Sequence, residues 1–192
     1  KMLSQFPGYK SYSSWSNILF NLNNRIYVSS GFIKQRYKYD EEEIWEYNIS
    51  NDSWIQKSQF PAPVSDGFGI VIDDTGYKTS GRHFYEYDQE NDKWTKSVQL
   101  HVWASPARFS INGKGYTATG GSPGDGDVVI RDVYEYDFLN SSYLKLVDFP
   151  NNPRKQTAYF VIRNKAYIGL GQDEGNSHFN DFWEFDPSKL KR

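Results

Sequence analysis

The sequence predicts an all-β protein assembled from four copies of one four-stranded sheet, and three observations carry that prediction. A five-residue cassette recurs: Ile44-Trp45-Glu46-Tyr47-Asn48, Phe84-Tyr85-Glu86-Tyr87-Asp88, Val133-Tyr134-Glu135-Tyr136-Asp137 and Phe182-Trp183-Glu184-Phe185-Asp186. Its glutamates lie 40, 49 and 49 residues apart, a period that belongs to repeated supersecondary units. Aromatic residues make up 18% of the chain beside a single Met, and large flat rings suit stacked sheets. Alternating runs are punctuated by Asn, Asp and Gly, and no segment carries a helical period.

Other landmarks keep fixed offsets from the cassette. Eight residues after the first three glutamates stand Trp54, Trp94 and Tyr143, and fourteen after them Phe60, Leu100 and Phe149. Upstream, a strand-like run containing Tyr27, Tyr77, Tyr116 or Tyr167 ends in small residues at Gly31, Gly81, Gly120-Gly121 and Gly171. In the third repeat the pattern predicts strand a at 108–112, b at 115–119, c at 133–137 and d at 143–147. Tight a-to-b turns follow at Asn23-Asn24, Asp73-Asp74, Asn112-Gly113-Lys114 and Arg163-Asn164-Lys165. A sheet of this size cannot bury its faces alone, so neighbouring repeats must stack, with the repeated Trp and Tyr between them. The recurring glutamates are expected to be scaffold, because they sit on strand c, away from the innermost strand.

A Gly pair or its remnant, a variable gap, then Tyr and, after six residues, Trp resembles the kelch repeat. Tyr47 with Trp54 and Tyr87 with Trp94 keep the spacing, Tyr143 replaces the second aromatic, and Gly120-Gly121 alone retains both glycines. The resemblance spans nearly the whole chain and implies a kelch-type β-propeller with four four-stranded blades in this chain, part of a larger propeller. Residues 1–8 then read as the end of a strand d, 9–61, 62–101 and 102–150 as repeats one to three, and 151–192 as a fourth repeat lacking its own strand d. Two arrangements stay open. Either the first strand completes the last blade, as kelch propellers close their rings, or a missing segment or second chain supplies further blades.

Composition narrows the partners. A net charge of -2 with no basic cluster argues against nucleic acid, and no run approaches a membrane span. The absence of cysteine excludes disulfides and thiolate metal sites. It also excludes the tyrosine–cysteine copper site of galactose oxidase, whose kelch blades this chain resembles. The chain begins Lys1-Met2-Leu3 without a charged leader and apolar core, and the resemblance to exported bacterial kelch proteins leads us to expect an extracytoplasmic (periplasmic or cell-surface) location.

Function is expected on one face, where b-to-c and d-to-a connections converge. The b-to-c segments are 32–43, Arg82-His83, 122–132 and 172–181, and the d-to-a segments 9–15, 62–66, 101–106 and 151–155. The second repeat is the outlier, since Glu86 follows Gly81 by five residues against 13 to 15 elsewhere. Arg154, just before strand a, and Trp103 at the matching place in the preceding repeat can hold a carboxylate or stack on a sugar. Arg131, Arg82, His83, His101, Asp173, Glu174 and His178 complete the candidate ligand-binding set. Asp125-Gly126-Asp127 lacks the remaining ligands of a calcium loop, and His178 with Asp173 and Glu174 reads as a polar loop tip. No metal, no cofactor and no catalytic group is expected. The expected function is a non-catalytic binding module for a glycan or protein partner. The alternative is a cofactor-free carbohydrate isomerase, because the resemblance extends to propellers similar to sialic acid mutarotases, for which Arg154, Arg131 and Glu174 or Asp173 would supply an arginine clamp and proton transfer.

Overall fold

Four two-residue turns set the register of the fold. Backbone φ is positive at both central residues in each: 48° and 59° at Asn23-Asn24, 45° and 59° at Asp73-Asp74, 49° and 72° at Asn112-Gly113, and 50° and 61° at Arg163-Asn164. This is the turn whose twist matches that of paired antiparallel strands. The turns join strands a and b: Ile18–Leu22 to Arg25–Ser29, Gly69–Ile72 to Thr75–Ser80, Ala107–Ile111 to Lys114–Ala118, and Ala158–Ile162 to Lys165–Gly169. The computed structural model describes residues 2–8, 18–29, 34–35, 38–39, 42–62, 67–102, 105–122 and 125–190.

Strand c is Ile44–Asn48, His83–Asp88, Asp132–Asp137 or Phe182–Phe185, and strand d is Ser53–Gln56, Lys93–Gln99 or Ser142–Asp148. In the first three repeats the strands lie side by side in the order a, b, c, d, the order of a propeller blade, and the fourth repeat contributes a, b and c. In the third repeat the strands match the sequence reading to within a residue at each end. Two short hairpins were not expected. Lys34–Gln35 pairs with Lys38–Tyr39, and Gly121–Ser122 with Asp125–Val129, both inside b-to-c connections. The backbone of Asp125-Gly126-Asp127 is therefore strand.

Each cassette position has one job. The glutamate faces the tyrosine of strand b across the ladder, and the phenol donates to it in all four repeats: Tyr27 to Glu46 at 3.0 Å, Tyr77 to Glu86 at 3.4 Å, Tyr116 to Glu135 at 2.8 Å and Tyr167 to Glu184 at 3.0 Å. The closing Asn or Asp caps the next turn by accepting a backbone N–H two or three residues on: Ser50 to Asn48, Glu90 to Asp88, Asn140 to Asp137 and Ser188 to Asp186. Tyr47 and Tyr87 donate to Asp52 and Asp92 in that turn, both at 2.7 Å. Ser141 replaces this Asp in the third repeat, and Tyr136 instead contacts the Thr117 hydroxyl at 3.1 Å.

The chain divides into two compact units, Lys1–Ser97 and Val98–Arg192. In the first, Phe20 and Tyr27 meet Tyr87 and Trp94 of the next repeat, with centroids 5.3 Å apart for Tyr27 and Tyr87 and 6.3 Å for Phe20 and Trp94. Gln89 adds a hydrogen bond to the Tyr27 hydroxyl at 2.8 Å. Lys78, also between these repeats, is fully buried in an ion pair with Glu42 at 2.9 Å and lies 4.2 Å from the Phe60 ring. Burial pushes its ammonium below the usual lysine range, against the pull of Glu42. In the second unit Phe109 and Tyr116 meet Phe185 at 6.0 and 5.7 Å, over a floor of Ala166 and Ile168. Within each unit these aromatics fill the space between repeats.

Residues 2–8 form no strand. They run along the first repeat, where the Ser4 N–H donates to Asp52 at 2.8 Å and Trp54 donates to the Ser4 carbonyl at 3.2 Å. The fourth sheet has three strands among the described residues.

The Tyr–Glu pair should be worth more where it is buried. Tyr116→Phe, which leaves the buried Glu135 without its phenol donor, is expected to cost about 1–2 kcal/mol in urea unfolding, and Tyr167→Phe at its exposed pair distinctly less. A Cβ at Gly76 would lie 2.4 Å from Cζ of Phe20, whose ring is hemmed in by Tyr27, Tyr87 and Trp94. Gly76→Ala is expected to cost ~1–3 kcal/mol by the same measurement.

Candidate functional site

Arg154 organises the loop face of the second unit. It follows Pro153 in the d-to-a connection and is fully buried. Its guanidinium makes a bidentate ion pair with Asp181, with Nη2 to Oδ2 at 3.0 Å, and donates to the carbonyls of Leu170 at 3.1 Å and Asn152 at 3.3 Å. Phe179 lies 4.0 Å and Phe149 5.0 Å from its central carbon. The Arg154 carbonyl in turn accepts from the Gly120 N–H at 2.8 Å. One side chain therefore ties the b-to-c loop of the fourth repeat to the d-to-a connection, and its backbone reaches the third repeat.

Asp181 receives two further donors, Asn151 at 2.9 Å and the Trp183 indole at 2.8 Å. Hydrogen bonds from Arg154, then from Trp183 and Asn151, hold its carboxyl well below the usual carboxylate range against the smaller effect of burial. The 170–181 loop is also stitched by backbone. Lys155 and Gln172 exchange N–H···O bonds at 2.9 and 3.0 Å, and Phe179 donates to Gly171 at 3.0 Å. Gly171 has φ of +86°, and a Cβ there would meet the Lys155 carbonyl at 2.6 Å, so the loop can approach this closely only at glycine.

These ties shape a recess of about 300 Å³ lined by Val129, Asn152, Pro153, Asp173, Glu174 and Gly175. Glu174 accepts from the Val129 N–H at 3.0 Å, and Asp173 accepts from the Ser177 N–H at 2.8 Å. One oxygen of each carboxylate is thus held by backbone. The recess offers carboxylates, an amide and the apolar edges of Val129 and Pro153, a mixture suited to hydroxyl groups on a compact carbon frame.

Asp173 and Glu174 come together in this recess, next to the connection that carries Arg154. His178 is on the same loop, in a backbone bridge to Gln172. Arg131 is exposed, 3.2 Å from Asp148 and 3.4 Å from the Asn151 carbonyl. His101 stacks on Tyr143 with ring centroids 3.6 Å apart. In the first unit, Arg82 follows Gly81 in the two-residue b-to-c turn, where Ser80 pairs with His83. The shortened second loop is a hairpin, as its length predicts. Burial and then Lys96 push the His83 imidazole below its usual range. Trp103 and the 9–15 segment lie outside the described residues.

The sequence reading missed Asn152, Pro153, Val129, Gly175 and the partner Asp181. Asp181 alone had a signal, because Glu43 and Asp132 hold the same place two residues before an aromatic and accept from Trp45 at 3.1 Å and Tyr134 at 3.0 Å. Burial and Asp132 push the Tyr134 phenol up to about 12. Among the described residues no cluster of three or more His, Cys, Asp or Glu could hold a metal ion, and no helix is long and apolar enough to cross a membrane.

No family model matches the chain, and no curated protein matches it. The solved structure of YjhT is similar over 98% of this chain and 72% of YjhT, with a TM-score of 0.74 at 14% sequence identity. The likeness supports a propeller fold. At that identity it carries the fold alone.

Arg154→Met keeps much of the side-chain volume between Phe149 and Phe179 but leaves Asp181 without its cation. A cost of ~3 kcal/mol is expected. A carboxylate depressed in the folded state contributes stability above its unfolded pKa, about 4, and loses it as pH falls through the folded value. Wild-type stability should therefore decline below about pH 4, and Arg154→Met should flatten that acid limb in unfolding titrations.

Proposed function

We propose that the chain is a kelch-type binding module, without catalysis of its own, whose b-to-c and d-to-a loop face takes a glycan. The observation that carries this reading is the recess between the 129, 152–153 and 173–175 segments, where Asp173, Glu174 and Asn152 converge beside Val129 and Pro153. Sugar hydroxyls are donors to carboxylate and amide oxygens, and a ring face packs on the apolar edges. Two carboxylates favour a neutral or amino sugar over an acidic one.

The rival reading is a cofactor-free carbohydrate isomerase similar to sialic acid mutarotases. It needs an arginine to clamp the substrate carboxylate and a proton-transfer group, and Glu174 or Asp173 would serve in the second role. For the first role Arg154 is poorly placed, since Asp181 and two carbonyls engage its guanidinium.

The two readings separate in solution. The binding reading expects capture on a glycan array of neutral and amino sugars, with Glu174→Ala weakening the captured ligand roughly tenfold in calorimetry. An empty array sinks it. The isomerase reading expects NMR exchange between purified sialic acid anomers faster than in buffer, and an unchanged rate removes it.

A further inference from the structure

One kind of junction between repeats occurs in both units, and its two copies differ in chemistry. In the first unit Lys78 follows the strand-b tyrosine, Tyr77, and pairs with Glu42, two residues before the cassette of the preceding repeat. The side chains are 1% and 2% exposed, with their charged atoms 2.9 Å apart. The ammonium lies 4.2 Å from the ring of Phe60, fourteen residues after Glu46. Among the described residues the Lys78 ammonium has one other acceptor, the Thr79 carbonyl at 3.4 Å, and Glu42 has no other cation.

In the second unit the same positions carry Ile168 and Arg131. Ile168, which follows Tyr167, is 1% exposed and shares a core cluster with Phe149, the counterpart of Phe60. Arg131, two residues before the cassette of the third repeat, is exposed and turned to Asp148 at 3.2 Å. The junction therefore closes without a buried charge when its strand-b residue is aliphatic. Packing does not oblige the first unit to bury an ion pair here, and an apolar pair of similar volume often does as well or better.

What the pair adds is discrimination. Chains made of similar repeats can stack a repeat on the wrong neighbour, above all between molecules. The second repeat set on a third would bring Lys78 to Arg131, two like charges. The fourth set on a first would bring Ile168 to Glu42 and leave a buried carboxylate without a cation. Both exchanges are penalised, although the repeated aromatic positions are nearly alike. We propose that the Lys78–Glu42 pair, set against Ile168 and Arg131, selects which repeat stacks on which during folding, and that it serves this choice rather than stability.

Urea unfolding and refolding of the full chain test this. Lys78→Met and Glu42→Leu, each of which leaves one charge buried and alone, are expected to lower the unfolding midpoint sharply. The double substitution Lys78→Met/Glu42→Leu should return the midpoint to the wild-type value or above. It should also lower the yield of native chain on dilution from urea roughly twofold or more, the loss growing with protein concentration. Arg131→Glu gives a second readout away from the buried pair. It changes an exposed residue and should move the midpoint little, but it turns repulsion from Lys78 into attraction and should lower the refolding yield too. A double variant whose midpoint stays as low as those of the single ones makes the pair a plain source of stability and overturns the proposal. Wild-type refolding yields at every concentration for the double variant or for Arg131→Glu overturn it as well, as do single variants that unfold with the wild type.

Discussion

A tyrosine on strand b donating to a glutamate on strand c is the contact each repeat is built around. It joins two directly opposed residues of the ladder, so a slip of one residue would put the phenol and the carboxylate on opposite faces. The phenol donor is also what makes the buried carboxylate tolerable. Glu46 and Glu135 are buried, and a carboxylate at that depth must be met by donors. A basic residue two positions before the tyrosine helps in two repeats, with Arg25 3.3 Å from Glu46 and Lys165 2.8 Å from Glu184. With register held there, the apolar residue at the head of the cassette and the aromatic after the glutamate point to opposite faces of the sheet.

The loop face rests on a different kind of contact. Arg154 is a cation with no exposed surface, and what keeps it tolerable is the number of its partners, a carboxylate, two carbonyls and two rings. Such a group binds the loops around it rather than a ligand. The residues left to meet a ligand are those it holds in place, Asn152 and Pro153 beside it in sequence and Asp173 to Gly175 on the loop it anchors. The arginine singled out from the sequence is central to this region through what it positions.

Stacking between repeats follows one rule within each unit. Strands a and b of one repeat offer Phe and Tyr, and strand c of the next, joined by strand d in the first unit, offers Tyr, Trp or Phe.

Sequence alone determined the repeat, its strands, its primed turns and the scaffold role of the glutamates, because these depend on residues close in the chain and on a period of two. It also delimited the b-to-c and d-to-a connections that supply the lining of the recess, since connection lengths follow from the same arithmetic. Only tertiary structure decided that the Arg154 guanidinium belongs to Asp181, 27 positions on, and that Asn152, Val129 and Glu174 share one cavity. Those pairings cross loops of variable length, where no periodicity connects one residue to another. The fate of residues 2–8 was likewise open in the sequence. An end of strand d looks the same whichever sheet it leaves, and only the contacts of Ser4 and Phe6 with Asp52 and Trp54 place it on the first repeat.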